Sequence, residues 1–122
     1  MKLLIIFTIL FSASAFSNNE KTEVYQFGKE FYEFKIYKGS AISSHCLKKD
    51  SKCDALKTIK NQPKIKFNKG DFNGGKNPGA VTCKKFKNTY VVIAKDLDGN
   101  QQSFCVFKDQ SMVSTGILGA LY

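Results

Sequence analysis

The chain has 122 residues and a net charge of +9, with 43% hydrophobic and 24% charged residues. That length supports one modest hydrophobic core and excludes a multidomain architecture within these residues. All 19 basic residues are lysine; without arginine, bidentate contacts to phosphate or guanine have no donor, so no specific nucleic-acid partner is expected.

The N-terminus reads as a targeting segment. Met1-Lys2 is a short positive start, Leu3 to Phe11 is an apolar run, and Ser12 to Ala15 place small residues before a cut after Ala15. This is the pattern of a signal peptide over residues 1–15. The run is too short to span a bilayer, which takes about 20 residues. The expected product is a single domain over residues 16–122, exported to the periplasm or secreted, with no transmembrane segment after cleavage.

Val24 to Phe27 and Phe31 to Lys38 flank Gly28. In the second stretch Tyr32, Phe34 and Ile36 alternate with Glu33 and Lys35, which predicts a half-buried strand paired with the first. Gly39-Ser40 ends it. A short helix is predicted from about Ser51, stopped by Gln62-Pro63 because proline cannot continue a helix. Lys64 to Phe67 alternates and reads as a short strand. Asn68 to Gly79 contains four glycines and a proline and reads as a linker or long turn. Residues 16–70 have no further assignment.

Asn77 suits a helix cap and Pro78 a first helical position, which predicts a helix to about Phe86. Ala80 and Cys83 fall on one face of it. Thr89 to Lys95 is rich in β-branched residues. Asp96 to Asn100 contains the Asp-Gly pair of a tight hairpin, and Ser103 to Phe107 returns, with Ser103, Cys105 and Phe107 on one face. Met112 to Tyr122 reads as a final strand or short helix covering the core.

Four cysteines in an exported chain predict two disulfides. A helix on one face of the hairpin brings Cys83 towards Cys105. That bridge closes a loop of about 23 residues and stabilises by roughly 3 kcal/mol. Cys46 and Cys53 then close a small local loop. The fold class expected is a small α+β domain, with a short helix packed on an antiparallel hairpin or sheet and stapled by disulfides.

The stretch Asn77 to Cys83, followed by Asp96 to Ser111, resembles the small bacterial domain known as domain of unknown function 333. The matching residues are Asn77, Pro78, Cys83, Gly99, Gln101, Cys105, Phe107, Asp109 and Ser111, and the likeness covers residues 76–115. Members are small exported proteins, some carrying a haemolysin label. The resemblance implies export and a compact disulfide domain rather than an activity. Members usually have a cysteine after the serine, where this chain has Met112, Val113 and Ser114.

The charge is local. Residues 48–87 hold twelve lysines against Asp50, Asp54 and Asp71, while the flanking stretches are close to neutral. Lys48, Lys49, Lys52 and Lys57 are the candidate anion contacts. They read either as a solvating face or as a docking surface for an anionic partner, loose and salt-sensitive. His45 beside Cys46 and Cys53 does not have the spacing of a zinc finger or ribbon. Asp96, Asp98 and Asn100 lack the glycine and glutamate positions of a calcium loop. No catalytic set, cofactor or metal is expected. The leading reading is an exported, non-enzymatic accessory or binding protein of unknown partner. One alternative is an inhibitor of an extracellular hydrolase acting through the glycine loop between Lys69 and Lys76. The other is a weak binder of an anionic envelope polymer.

Overall fold

Six strands close into one antiparallel barrel in the computed structural model, which describes residues 21–122. The signal-peptide reading lies outside the described residues. The strands are β1 (Thr22–Phe27), β2 (Glu30–Tyr37), β3 (Ser40–Ser43), β4 (Tyr90–Asp96), β5 (Gln101–Val106) and β6 (Met112–Ser114). Their order around the barrel is β1-β2-β3-β6-β5-β4, and β1 meets β4 through Tyr25↔Asp96 and Gln26↔Lys95. Closure leaves no open sheet edge. Among the described residues, three α-helices accompany the barrel: α1 (Asp54–Asn61), α2 (Pro78–Lys85) and α3 (Thr115–Leu121). Among the described residues, no helix is long and apolar enough to cross a membrane.

The sheet has two buried faces, and each holds a core. Inside the barrel, Phe34 stacks on Phe104 with ring centroids 4.5 Å apart, and Tyr25 meets both rings edge-on at 5.4 and 4.9 Å. Val92, Val106 and Met112 fill the space around them. The second core gathers Ile42, Cys105 and Val113 from the strands with Ala55 and Ile59 of α1, Cys83 of α2, and Ile117 and Leu118 of α3. The division follows from the pleat: Phe104 and Val106 enter one core, Cys105 the other.

Two disulfides join Cys83 to Cys105 and Cys46 to Cys53, with Cα–Cα distances of 5.6 and 5.1 Å. Asn77 caps α2, its Oδ1 accepting from the N–H groups of Gly79 and Ala80 at 2.9 and 3.3 Å. At the short junction of β3 and β6 a side chain extends the ladder. The Met112 N–H donates to Ser43 Oγ at 2.8 Å, and that hydroxyl donates to the Met112 carbonyl at 3.3 Å.

The structure corrects several expectations. The mixed α+β class with two disulfides is observed, and the antiparallel sheet is a closed six-stranded barrel accompanied by three α-helices among the described residues. Ser40 begins a strand, β3, that pairs with β2 from Tyr37↔Ser40 to Phe34↔Ser43. The first helix starts at Asp54, after Cys53 has taken the capping position. Lys64 to Phe67 forms no strand, because a closed barrel offers it no edge to pair with. The C-terminal segment is both alternatives in series, a short strand and then a helix. Close approach of α2 to α3 depends on Gly79. A Cβ on Gly79 would stand 1.7 Å from the Thr115 carbonyl oxygen of α3, so only glycine permits this separation.

Candidate basic groove

Tyr122, at the chain end, donates its hydroxyl to the Pro63 carbonyl at 2.6 Å. Its ring also meets Phe67 and Phe86, at 6.2 and 6.4 Å between centroids. The segment after α1 is thereby held beside the end of α2. Its alternation is used without a partner strand: Ile65 and Phe67 are half-buried, while Lys64 and Lys66 are exposed.

The result is a groove of about 580 Å³ between α1, this segment, the end of α2 and the end of β5. Six lysines line it: Lys57, Lys64, Lys66, Lys85, Lys87 and Lys108. Asp54 is the one acidic residue in its wall. Pro63, Ile65, Phe86 and Phe107 supply carbon surface between the charges, with Phe86 and Phe107 rings 6.0 Å apart. Lysine ammonium groups are compact, strongly hydrated point charges on flexible stems. Such a wall attracts anions over a distance without imposing a bidentate geometry.

Lys85 is partly committed. It makes an ion pair of 2.8 Å with Asp71, and both side chains are largely covered. Asp71 also accepts the Asn68 N–H at 2.6 Å. The Lys85 hydrogen bond, the Asn68 N–H and the neighbouring lysine charges hold its carboxyl below the ordinary range, against the opposing effect of desolvation. The pair clasps the glycine-rich loop to α2.

The four lysines proposed from the sequence are not brought together. Lys57 lines the groove and also the adjoining hollow that Lys52 and Lys60 line. Lys48 lies elsewhere, in a hollow of mixed charge with Glu33, His45 and Asp109. Lys49 is exposed and lines neither of these. Lys64, Lys66, Lys85, Lys87, Lys108 and Phe86 were not singled out from the sequence. The Lys64-Ile65-Lys66-Phe67 alternation is the sequence signal for this wall, and it has the same form as a strand's. Lys108 lies outside the basic segment altogether.

Cys46 and Cys53 stand near His45, but their sulfurs are bonded to each other and are not free thiolates. The Asp96 side chain accepts from the Asp98 and Asn100 N–H groups and from Asn100 Nδ2, at 2.9, 2.8 and 3.1 Å. Its oxygens are thus engaged within the turn between β4 and β5.

Comparison with protein-family models, with curated proteins and with solved structures finds no match to the chain in any of the three.

Proposed function

We propose that the protein is an exported, non-enzymatic binding module whose partner is an anionic polymer held in the basic groove. The observation that carries this reading is convergence. The six lysines come from α1, the segment after it, the end of α2 and the residue after Phe107, yet they line one groove with one acidic residue. A purely solvating charge distribution has no need to concentrate like charges, since their mutual repulsion opposes folding. The carbon surface between the lysines gives the groove an apolar wall as well as a charged one. The signal-peptide pattern at residues 1–15 and the resemblance to domain of unknown function 333 support export.

The test is retention of the disulfide-intact protein on an anionic matrix at low salt, followed by elution with rising salt. Retention that weakens steeply towards physiological ionic strength is expected. Lys64→Gln with Lys66→Gln should elute earlier than Lys48→Gln with Lys49→Gln, although both variants lose the same charge. Equal elution of the two would mean that overall charge, not the groove, causes retention.

A further inference from the structure

We infer that the groove is the middle of a continuous lysine track, and that its ligand is a linear acidic polysaccharide long enough to occupy more than the groove itself. This rests on the anion-binding reading above and goes beyond it in ligand shape and class.

The groove shares one lysine with each of two neighbouring hollows. Lys57 also lines the hollow on the other flank of α1, where Lys52 and Lys60 stand with Leu56. Lys85 also lines the hollow on α2, where Lys76 and Lys84 stand with Val81. The groove and the α1 hollow therefore meet at Lys57, and the groove and the α2 hollow meet at the Lys85–Asp71 ion pair rather than at an apolar ridge. Asp54 lies in the central wall, and Asp71 lies in the α2 hollow, paired to Lys85. A compact anion would be served by a single depression with converging donors. A chain of regularly spaced charges uses all three.

The class follows from what lies between the charges. Pro63, Ile65 and Phe86 in the groove, Leu56 on one side and Val81 on the other, place carbon surface along the track. Sugar rings present C–H faces to such surface while their carboxylates or sulfates meet the ammonium groups. A bare polyphosphate chain has charge without that face. Lysine point charges on flexible stems tolerate variable spacing, which suits a polymer read by charge density rather than by sequence.

Titration calorimetry with oligogalacturonates of increasing length tests this, with inorganic polyphosphate of equal charge as the comparison. Affinity is expected to rise with length and then level off, and polyphosphate of equal charge should bind more weakly. Lys52→Gln with Lys60→Gln, and Lys76→Gln with Lys84→Gln, should each remove gain for long chains while leaving the shortest oligomer unaffected. Each pair should lower the steepness of the salt dependence for long chains by about two, one per lost contact. Lys64→Gln with Lys66→Gln should weaken binding at every length. Binding that depends on Lys64 and Lys66 but not on length or on the end pairs would overturn the track while leaving the groove reading intact. Polyphosphate binding as tightly as oligogalacturonate of equal charge would overturn the polysaccharide assignment. Absence of binding to either polymer at low salt would overturn both the track and the groove reading.

Discussion

Asp109 caps a helix to which it does not belong: its Oδ2 accepts the backbone N–H of Asp54, at the start of α1, at 2.8 Å. Its other oxygen accepts the Ser111 N–H and hydroxyl at 2.9 and 2.5 Å, and Ser111 Oγ in turn accepts the Ala55 N–H at 3.0 Å. Cys53 Sγ takes the Leu56 N–H at 3.5 Å. The first N–H groups of α1, which have no partner within the helix, are thus met from the β5–β6 turn and from a disulfide.

Replacing Asp109 by Ala should destabilise the fold by about 0.5–2 kcal/mol at neutral pH, as loss of a helix cap does. Burial pushes the Asp109 carboxyl up. Hydrogen bonds from Ser111 and from the Asp54 N–H, with the nearby His45, outweigh it and hold the carboxyl below its ordinary value of 3.8. A depressed folded pKa stabilises above the unfolded value, and that stabilisation disappears as pH falls through the folded one. Urea titrations of wild type and variant should therefore differ at pH 7 and converge in acid below that range. A constant gap across this range would show that the carboxylate charge contributes nothing.

The Cys83–Cys105 bridge ties α2 to a buried strand. Replacing either cysteine by serine should cost about 2–5 kcal/mol, and replacing both should cost little more than one. Non-reducing peptide mapping identifies the bridge independently. A fragment joining Cys83 to Cys46 or Cys53 would contradict this packing.

Gly79 and Gly116 should behave oppositely on substitution by alanine. In Gly79→Ala the new Cβ meets the Thr115 backbone, which cannot move aside as a side chain tip can. Destabilisation of at least about 1–3 kcal/mol is expected. In Gly116→Ala the nearest atom is Ser114 Oγ at 3.5 Å, an ordinary contact. There the thermal midpoint should hold or rise, by at most about 1 kcal/mol equivalent. Equal behaviour of the two variants would show that α2 and α3 are not in close contact.

Tyr25 should be a late-titrating phenol. Burial first, then its Glu23 neighbour, pushes it from 10.0 up to about 12. Its oxygen lies 2.7 Å from Gln102 Oε1 and 3.0 Å from Glu23 Oε2. Because the folded state keeps the proton longer than the unfolded state, stability is full below 10.0 and falls as pH rises towards 12. Phenolate absorbance should show a late step that Tyr25→Phe removes; Tyr122 is also raised by burial, so the variant is needed for assignment. A late step unchanged in Tyr25→Phe would assign it elsewhere.

Protein recovered from its native source should begin at Phe16 or within a residue or two of it, as mass analysis can read directly. An intact Met1 would remove the basis for export.

The two hairpins were legible because their alternation is local: Tyr32, Phe34 and Ile36 in one, the Asp98-Gly99 turn in the other. Barrel closure was not, since it depends on two residue pairs between β1 and β4, separated by about seventy positions. β3 was hidden by its small residues, Ser40, Ala41 and Ser43. The groove was illegible for a related reason: charge density along the chain marks residues 48–87, whereas the groove selects by position in space. It passes over Lys48 and Lys49 and includes Lys108. Several of the residues on which the resemblance to domain of unknown function 333 rests have structural tasks here. Asn77 caps α2, Cys83 and Cys105 form a bridge, and Asp109 and Ser111 cap α1. None of these five lines the groove, whereas Phe107, which also matches, does.

Phe104, Cys105, Val106 and Phe107 are consecutive and all buried, because β5 stands between two cores. An ordinary sheet strand that slips by one residue exchanges an apolar face for a wet one. Here a slip would instead send Cys105 into the barrel, away from Cys83, and force Phe104 and Val106 towards the helix side. Once the Cys83 bond has formed, that error has no covalent route. Oxidation during folding would therefore act as a proofreading step on strand alignment, rejecting chains whose β5 is one position out.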